Sequence, residues 1–317
     1  MNIVINWKDL QKRIINWQEV TKVIRNGVQI RPESVPPVQE DYFCLTSELN
    51  NSYLSLNKAS WLVTSVHLEI SYDKSTWTDY TFWDTINLGT VWDKVYFRNK
   101  STTPNHFSQS SYQNFYFQWS WKFAWSGDLN YLLCKTSTTT IPNSYCFCGL
   151  FSWFHLSTPP KLSATTLKAH CYEDLFYNCD VLTTAPELPA TTLADSCYYS
   201  MFARCYNLTT APSLPATTLA TNCYTSIFAL CSSLNILPEL PATTIGDYSY
   251  AEMFYRCSNI KLSTTQDSTY TTPYRIPTTG TGTTGSNSLV DMFYGTGWTF
   301  TGTPTVNTTY YTSNTIV

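Results

Sequence analysis

Eleven cysteines and four histidines carry the most versatile chemistry in this chain, and their spacing decides what that chemistry is. Cys171, Cys179, Cys197, Cys205, Cys223, Cys231 and Cys257 fall at recurring positions. Read as a helix, the segment holding Cys197 and Cys205 puts them about 12 Å apart by rise per residue. A disulfide needs Cα atoms within about 7 Å, so that pair is excluded. Met1–Leu10 has neither the basic start nor the apolar run of a secretion signal, which also favours thiols over a disulfide framework. The cysteines therefore read as small buried apolar groups. Cys134, Cys146, Cys148 and His155 are zinc-ligand types, but they lack the paired C-x₂₋₄-C or H-x₃₋₅-H spacing of a structural site. They read as core residues at a junction, and no metal or cofactor is expected.

Catalytic constellations are equally hard to assemble. His67, His106, His155 and His170 are scattered, and no Gly-x-Ser-x-Gly, His-Glu-x-x-His or phosphate-loop sequence occurs. Asp128 stands alone beside Gly127, and Glu173 and Asp174 are neighbours that would not face each other on a helix. The expectation is a non-enzymatic protein.

Aromatic side chains are the more promising chemistry. They make up 16% of the chain, with 23 Tyr and 11 Trp, while charged residues reach only 13%. Such a composition suits β-rich surfaces built for contact. Trp83, Tyr199 and Tyr206 fall off the predicted apolar face, and a flat ring with a polar edge stacks well on a pyranose. They are the candidate ligand-binding residues; for any single ring, ordinary packing or protein contact is the competing reading. Tyr172, Tyr198, Tyr224 and Tyr250 recur every 26 residues and read as core. A net charge of −3 gives no pointer to nucleic acid, and no stretch has the roughly 18–20 apolar residues of a membrane span.

The element that positions these residues is a 26-residue repeat. Phe176, Phe202, Phe228 and Phe254 keep that period, as do Cys179, Cys205, Cys231 and Cys257, and Pro189, Pro215 and Pro241. A period in this range signals a solenoid, whose units bury their apolar faces only by stacking. Within a unit, Cys197, Tyr198, Met201, Phe202 and Cys205 follow i, i+1, i+4, i+5, i+8, which predicts a two-turn helix capped near Asp195 or Ser196. Leu182–Thr184 predicts a short strand ending before Pro186. Ser263–Asn287, rich in Thr, Gly and Ser, predicts a loop or loose hairpin, after which Met292-Phe293 restores the pattern and Thr303–Val317 closes it as a cap.

Two further segments precede the repeats. Residues 38–134 predict an aromatic β-sandwich, with strict alternation through Phe115, Phe117, Trp119, Trp121, Phe123 and Trp125, a strand–turn–strand at 68–78, and a strand at Val95–Phe97. Residues 1–37 repeat Ile-Asn-Trp at Ile5 and Ile15, carry a hairpin signal at Asn26-Gly27, and end in a Pro-stiffened linker. This unit is basic and too small for a core of its own. Trp7, Lys12, Arg13, Trp17, Lys22 and Arg25 are its candidate anchoring residues. The expected organisation is thus a β-rich multidomain chain: a small N-terminal β anchor with linker (1–37), a β-sandwich (38–134), and a solenoid with its C-terminal cap (135–317).

The repeat itself resembles the BspA-type leucine-rich repeats, on Tyr198, Met201-Phe202, Cys205, Leu208 and Pro212. Its Leu-Pro-Ala-Thr-Thr variant is similar to proteins of gut Bacteroides and of the crAss-like phages that infect them. The resemblance spans roughly residues 40–317. It implies a virion structural protein, a head or tail fibre or decoration, assembled in the host cytoplasm. The N-terminus would join other virion proteins, and the outer surface would meet a host surface glycan. The implied oligomer is a homotrimer first and a dimer second. The alternatives are a bacterial cell-surface adhesin and a glycan-active enzyme.

Overall fold

The computed structural model describes residues 23–25, 28–30, 42–58, 66–102, 115–119, 122–135 and 138–317. The chain divides into two compact units, Met1–Glu40 and Asp41–Val317. In the first, β1 (Val23–Arg25) and β2 (Val28–Ile30) pair antiparallel, Val23 opposite Ile30 and Arg25 opposite Val28. The Asn-Gly hairpin signal at 26–27 lies outside the described residues.

The second unit is β-rich, and none of its sheets closes on itself. Its first strands are β3 (Phe43–Ser47), β4 (Ser52–Lys58), β5 (Leu68–Ser71), β6 (Thr78–Tyr80), β7 (Ile86–Leu88), β8 (Lys94–Asn99), β9 (Phe115–Trp119), β10 (Phe123–Ser126) and β11 (Leu156–Thr158). They form a six-stranded sheet, β11-β10-β3-β8-β5-β6, and a three-stranded one, β7-β4-β9. The long aromatic alternation is thus two strands in different sheets. Each keeps its period, so Phe115 and Phe117 from one and Phe123 and Trp125 from the other are all buried. Rings bind the sheets together: Phe117 lies 4.8 Å from Trp125 and 6.1 Å from Phe97.

Beyond residue 138 each repeat forms one layer, and successive layers stack. Phe202 and Phe228 are fully buried, 5.8 Å apart and within 7° of parallel. Phe151, Phe176, Phe254 and Phe293 extend the same column at 5.6–5.8 Å spacings. A second column runs Phe147, Tyr172, Tyr198, Tyr224, Tyr250 at 5.8–6.0 Å. Both are core, as the 26-residue recurrence predicts.

The predicted helix is not formed. Among the described residues, the only regular helix is a 3-10 segment at Leu129–Leu132. Through Cys197–Cys205 the backbone runs as a chain of four-residue turns, with left-handed φ at Ser196 (52°), Ser200 (50°) and Arg204 (63°). Alternate amides do different work. Cys197, Tyr199, Met201 and Ala203 donate to the carbonyl three residues back, while Tyr198, Ser200, Phe202 and Arg204 donate to Cys223, Thr225, Ile227 and Ala229 in the next layer. A helix would have used every amide internally; here half of them tie layers together. Opposite this ribbon, the Leu182–Thr184 segment forms no ladder, only isolated parallel bridges such as Thr184 to Thr210 and Thr210 to Ile236.

The end of the chain closes the stack with β12 (Ile236–Leu237), β13 (Thr244–Ile245), β14 (Lys261–Ser263), β15 (Thr272–Ile276), β16 (Thr283–Thr284), β17 (Gly297–Trp298), β18 (Thr308–Thr312) and β19 (Thr315–Ile316). The segment expected as a loop contributes β15, which pairs with β18 in the sheet β15-β18-β14-β17. Asn314 locks this end, donating to the carbonyls of Asn235 and Asn259 at 3.1 Å and accepting from the Lys261 amide at 3.0 Å.

Candidate functional site

The cysteines considered first are absorbed into structure. Every cysteine is free and buried. Four form a ladder with the phenylalanine column: the Sγ of Cys179, Cys205, Cys231 and Cys257 donates to the carbonyl of Phe151, Phe176, Phe202 and Phe228, at 3.2, 3.1, 3.1 and 2.9 Å. Burial pushes the thiols of Cys197, Cys205 and Cys257 up to about 12. Such thiols are neutral and unreactive at physiological pH. His155 Nδ1 meets Asp180 Oδ1 at 2.7 Å, and among the described residues no group of three or more His, Cys, Asp or Glu is placed to hold a metal. Asp128 is buried, accepts from the Asn130 amide at 3.0 Å and from the Ser163 hydroxyl, and so caps the 3-10 segment.

Of the predicted anchoring residues, Trp7, Lys12, Arg13, Trp17 and Lys22 lie outside the described residues, and Arg25 ends β1. Of the predicted ligand-binding residues, Trp83 is 50% exposed, with its ring edge-on to Tyr116 at 6.1 Å. Tyr206 is 38% exposed. Tyr199 is half-buried rather than exposed. Burial raises its phenol, and Glu252, Glu173 and Asp174 add to the rise. Among the described residues no ring contact joins Trp83, Tyr199 and Tyr206.

A different set of residues does converge, on one edge of the layered ribbon. Trp153, 56% exposed, lies 5.9 Å from Tyr177, and the Arg204 guanidinium sits over the Tyr177 ring at 5.8 Å. Further along, Tyr255 and Tyr294 stack at 5.2 Å, and the Arg256 guanidinium lies 5.2 Å from the Tyr255 centroid. The backbone puts them in line: Trp153, Asn178, Arg204, Leu230 and Arg256 donate in turn to the carbonyls of Tyr177, Ala203, Ala229, Tyr255 and Tyr294, each at 2.7–2.8 Å. Neither arginine makes an ion pair among the described residues.

Backbone strain marks the same edge. Two residues before each phenylalanine, the left-handed position holds Gly149, Asp174, Ser200, Ser226, Glu252 and Asp291. Two residues after it, the left-handed position holds Trp153, Asn178, Arg204, Leu230, Arg256 and Gly295. A left-handed residue other than Gly costs roughly 1–2 kcal/mol, with Asn and Asp the best tolerated. Trp153, Arg204 and Arg256 adopt φ of 67°, 63° and 56°; Trp153 and Arg256 are exposed and Arg204 is half-buried. The left-handed position recurs in every layer, so it belongs to the repeat, and what differs from layer to layer is the side chain it carries. Sequence reasoning missed these residues because the helix reading left them as ordinary surface. The available signal was their variability within an otherwise regular repeat.

Among the described residues no helix is long and apolar enough to cross a membrane. Compared with known proteins, the chain matches no family, no curated protein and no solved structure.

Proposed function

We propose that this chain is a non-enzymatic surface protein of a virion, a head or tail fibre or decoration, that presents a binding face for host surface glycan. The observation that carries the reading is the aromatic and guanidinium edge of the layered ribbon, exposed at Trp153, Arg256 and Tyr294. Exposed Trp and Tyr suit the faces of sugar rings. The virion setting rests on the resemblance to BspA-type repeats, as does the finer fold reading of a sandwich followed by a leucine-rich-repeat solenoid with a cap. In this reading the basic N-terminal unit joins other virion proteins, and copies assemble as a trimer, or failing that a dimer.

The test is binding of the purified protein to host cells before and after their surface polysaccharide is stripped. Binding should be lost on stripping and reduced by Trp153→Ala. Binding that survives stripping would overturn the glycan reading. The virion setting is tested separately, by removing residues 1–34 and measuring incorporation into the parent particle. Normal incorporation would mean the N-terminal unit is not the anchor. Finding the protein on bacterial envelopes and never on particles would favour an adhesin.

A further inference from the structure

The closing strands leave an open cavity of about 410 Å³, a size within the roughly 300–1,000 Å³ of small-molecule sites. Three pieces of chain meet there. Asn235 and Ile236 stand at the start of β12, Asn259 precedes β14, and Ser313 and Thr315 flank Asn314 between β18 and β19.

Asn314, 9% exposed, is the fixed member of this set. Its amide nitrogen donates to the carbonyls of Asn235 and Asn259, both at 3.1 Å. Its side-chain oxygen accepts from the Lys261 amide at 3.0 Å and from the Thr312 hydroxyl at 2.9 Å. Both donors and both acceptor positions are thus used. The other polar residues are the reverse case. Among the described residues, the side chains of Asn235, Asn259, Ser313 and Thr315 make no hydrogen bond, and all four are exposed.

The repeat shows that this is a departure. In earlier layers the equivalent side chains are spent on the stack: Asn207 Nδ2 donates to the Asp180 carbonyl at 2.6 Å, and Thr209 Oγ1 to the Thr183 carbonyl at 3.2 Å. Asn235 stands one repeat after Thr209, and Asn259 two repeats after Asn207. Where the cavity opens, the same positions release their side chains from that work.

Their chemistry selects a ligand. Amides and hydroxyls each donate and accept, which matches a ligand rich in hydroxyls. Ile236, half-buried, adds an apolar patch for the C–H face of a ring. Lys261 is the only charged residue of the lining, which favours a neutral ligand over a phosphate or sulfate.

We propose that this cavity is a sugar site that takes one neutral pyranose unit. The sugar hydroxyls meet Asn235, Asn259, Ser313 and Thr315, and one ring face lies on Ile236. The site shares no residue with the aromatic edge, so it extends the glycan reading to a second place without depending on the first.

The test titrates the full chain with glucose, galactose, mannose and N-acetylglucosamine, followed by ligand-observed NMR. At least one should bind. Replacing both asparagines, Asn235→Ala with Asn259→Ala, should weaken it at least tenfold at an unchanged unfolding temperature, because only their backbone carbonyls hold Asn314. If the unfolding temperature falls as well, Ser313→Ala with Thr315→Val decides. That pair removes two hydroxyls that bond nothing else among the described residues and should weaken binding at least threefold; unchanged affinity would overturn the proposal. Sugar binding untouched by the asparagine pair would overturn the location. Failure of all four sugars, or preference for inorganic phosphate over them, would overturn the ligand class. Trp153→Ala should leave pyranose binding as it is while reducing attachment to cells, so the edge and the cavity fail separately.

Discussion

At the scale of single residues, the cysteines show how a reactive group becomes a structural one. Each ladder thiol donates to a phenylalanine carbonyl one layer away, so it needs to stay protonated. In the unfolded chain a cysteine titrates near pH 8.5. In the folded chain Cys197, Cys205 and Cys257 are pushed up to about 12 by burial. The folded state therefore holds more protons than the unfolded one above pH 8.5. The stability these groups contribute is fully present below that pH and is lost as pH rises towards 12. We expect urea midpoints to be level from pH 7 to 8 and to fall steadily at pH 10 and 11. A midpoint that stayed level would contradict the buried-thiol assignment. The same burial predicts no alkylation of the native ladder thiols at pH 8, with all eleven cysteines reacting on denaturation without reductant. Thiols rather than disulfides were legible in the sequence. Their hydrogen-bond partners were not, because Cys231 and Phe202 are 29 residues apart and meet only once the layers stack.

At the scale of elements, the lesson is one of period. Buried residues at 197, 198, 201, 202 and 205 fit a 3.6-residue helix and a four-residue turn equally well over nine residues. Glycine would normally reveal repeated left-handed turns. Here residues other than glycine occupy most of those positions, so the signal was hidden. The 26-residue layer itself was readable, because phenylalanine repeats where layers touch. Phe228 stacks on Phe202 and Phe254 at 5.8 Å on either side. Phe228→Ala should cost about 3–5 kcal/mol and raise amide exchange in both neighbouring layers; exchange confined to its own layer would argue against coupled stacking. Gly246 gives a complementary expectation. A Cβ there would lie 2.6 Å from the Leu219 carbonyl oxygen, so the layers must separate locally to admit one. Gly246→Ala should lower the unfolding temperature despite the small size of the change, and an unchanged temperature would mean that this junction is loose.

At the scale of the whole molecule, Asp41–Val317 behaves as one body with one core. The sequence divides at about residue 134, where alternation gives way to the repeat, but ring packing crosses that point without interruption. Phe151 is the hinge of this continuity. It stacks on Phe117 of β9 at 5.6 Å on one side and on Phe176 at 5.6 Å on the other, and it also lies 6.1 Å from Phe43. Composition and period report each segment separately, and neither reports which ring of one meets which ring of the other. We expect residues 41–317 to unfold in a single calorimetric transition, with Phe151→Ala splitting it into two or broadening it. Two transitions in the unaltered protein would show that the shared core does not couple the segments. The edge strip was the least legible feature of all. Its members are spread from Trp153 to Tyr294, and only the layer-to-layer amide bonds bring them into line.

Those layer-to-layer bonds also give the unit a mechanical character. They run along the axis of the stack, so tension along that axis loads one junction at a time. Each layer that lets go frees 26 residues, about 90 Å of extended chain at roughly 3.5 Å per residue. A pulled molecule would lengthen in near-equal steps through the regular layers, with a longer one where Phe254 and Phe293, 39 residues apart, part company, each step dissipating work while the remaining layers stay folded. We expect single-molecule pulling to show this stepwise lengthening; a single all-at-once rupture of residues 138–317 would contradict it.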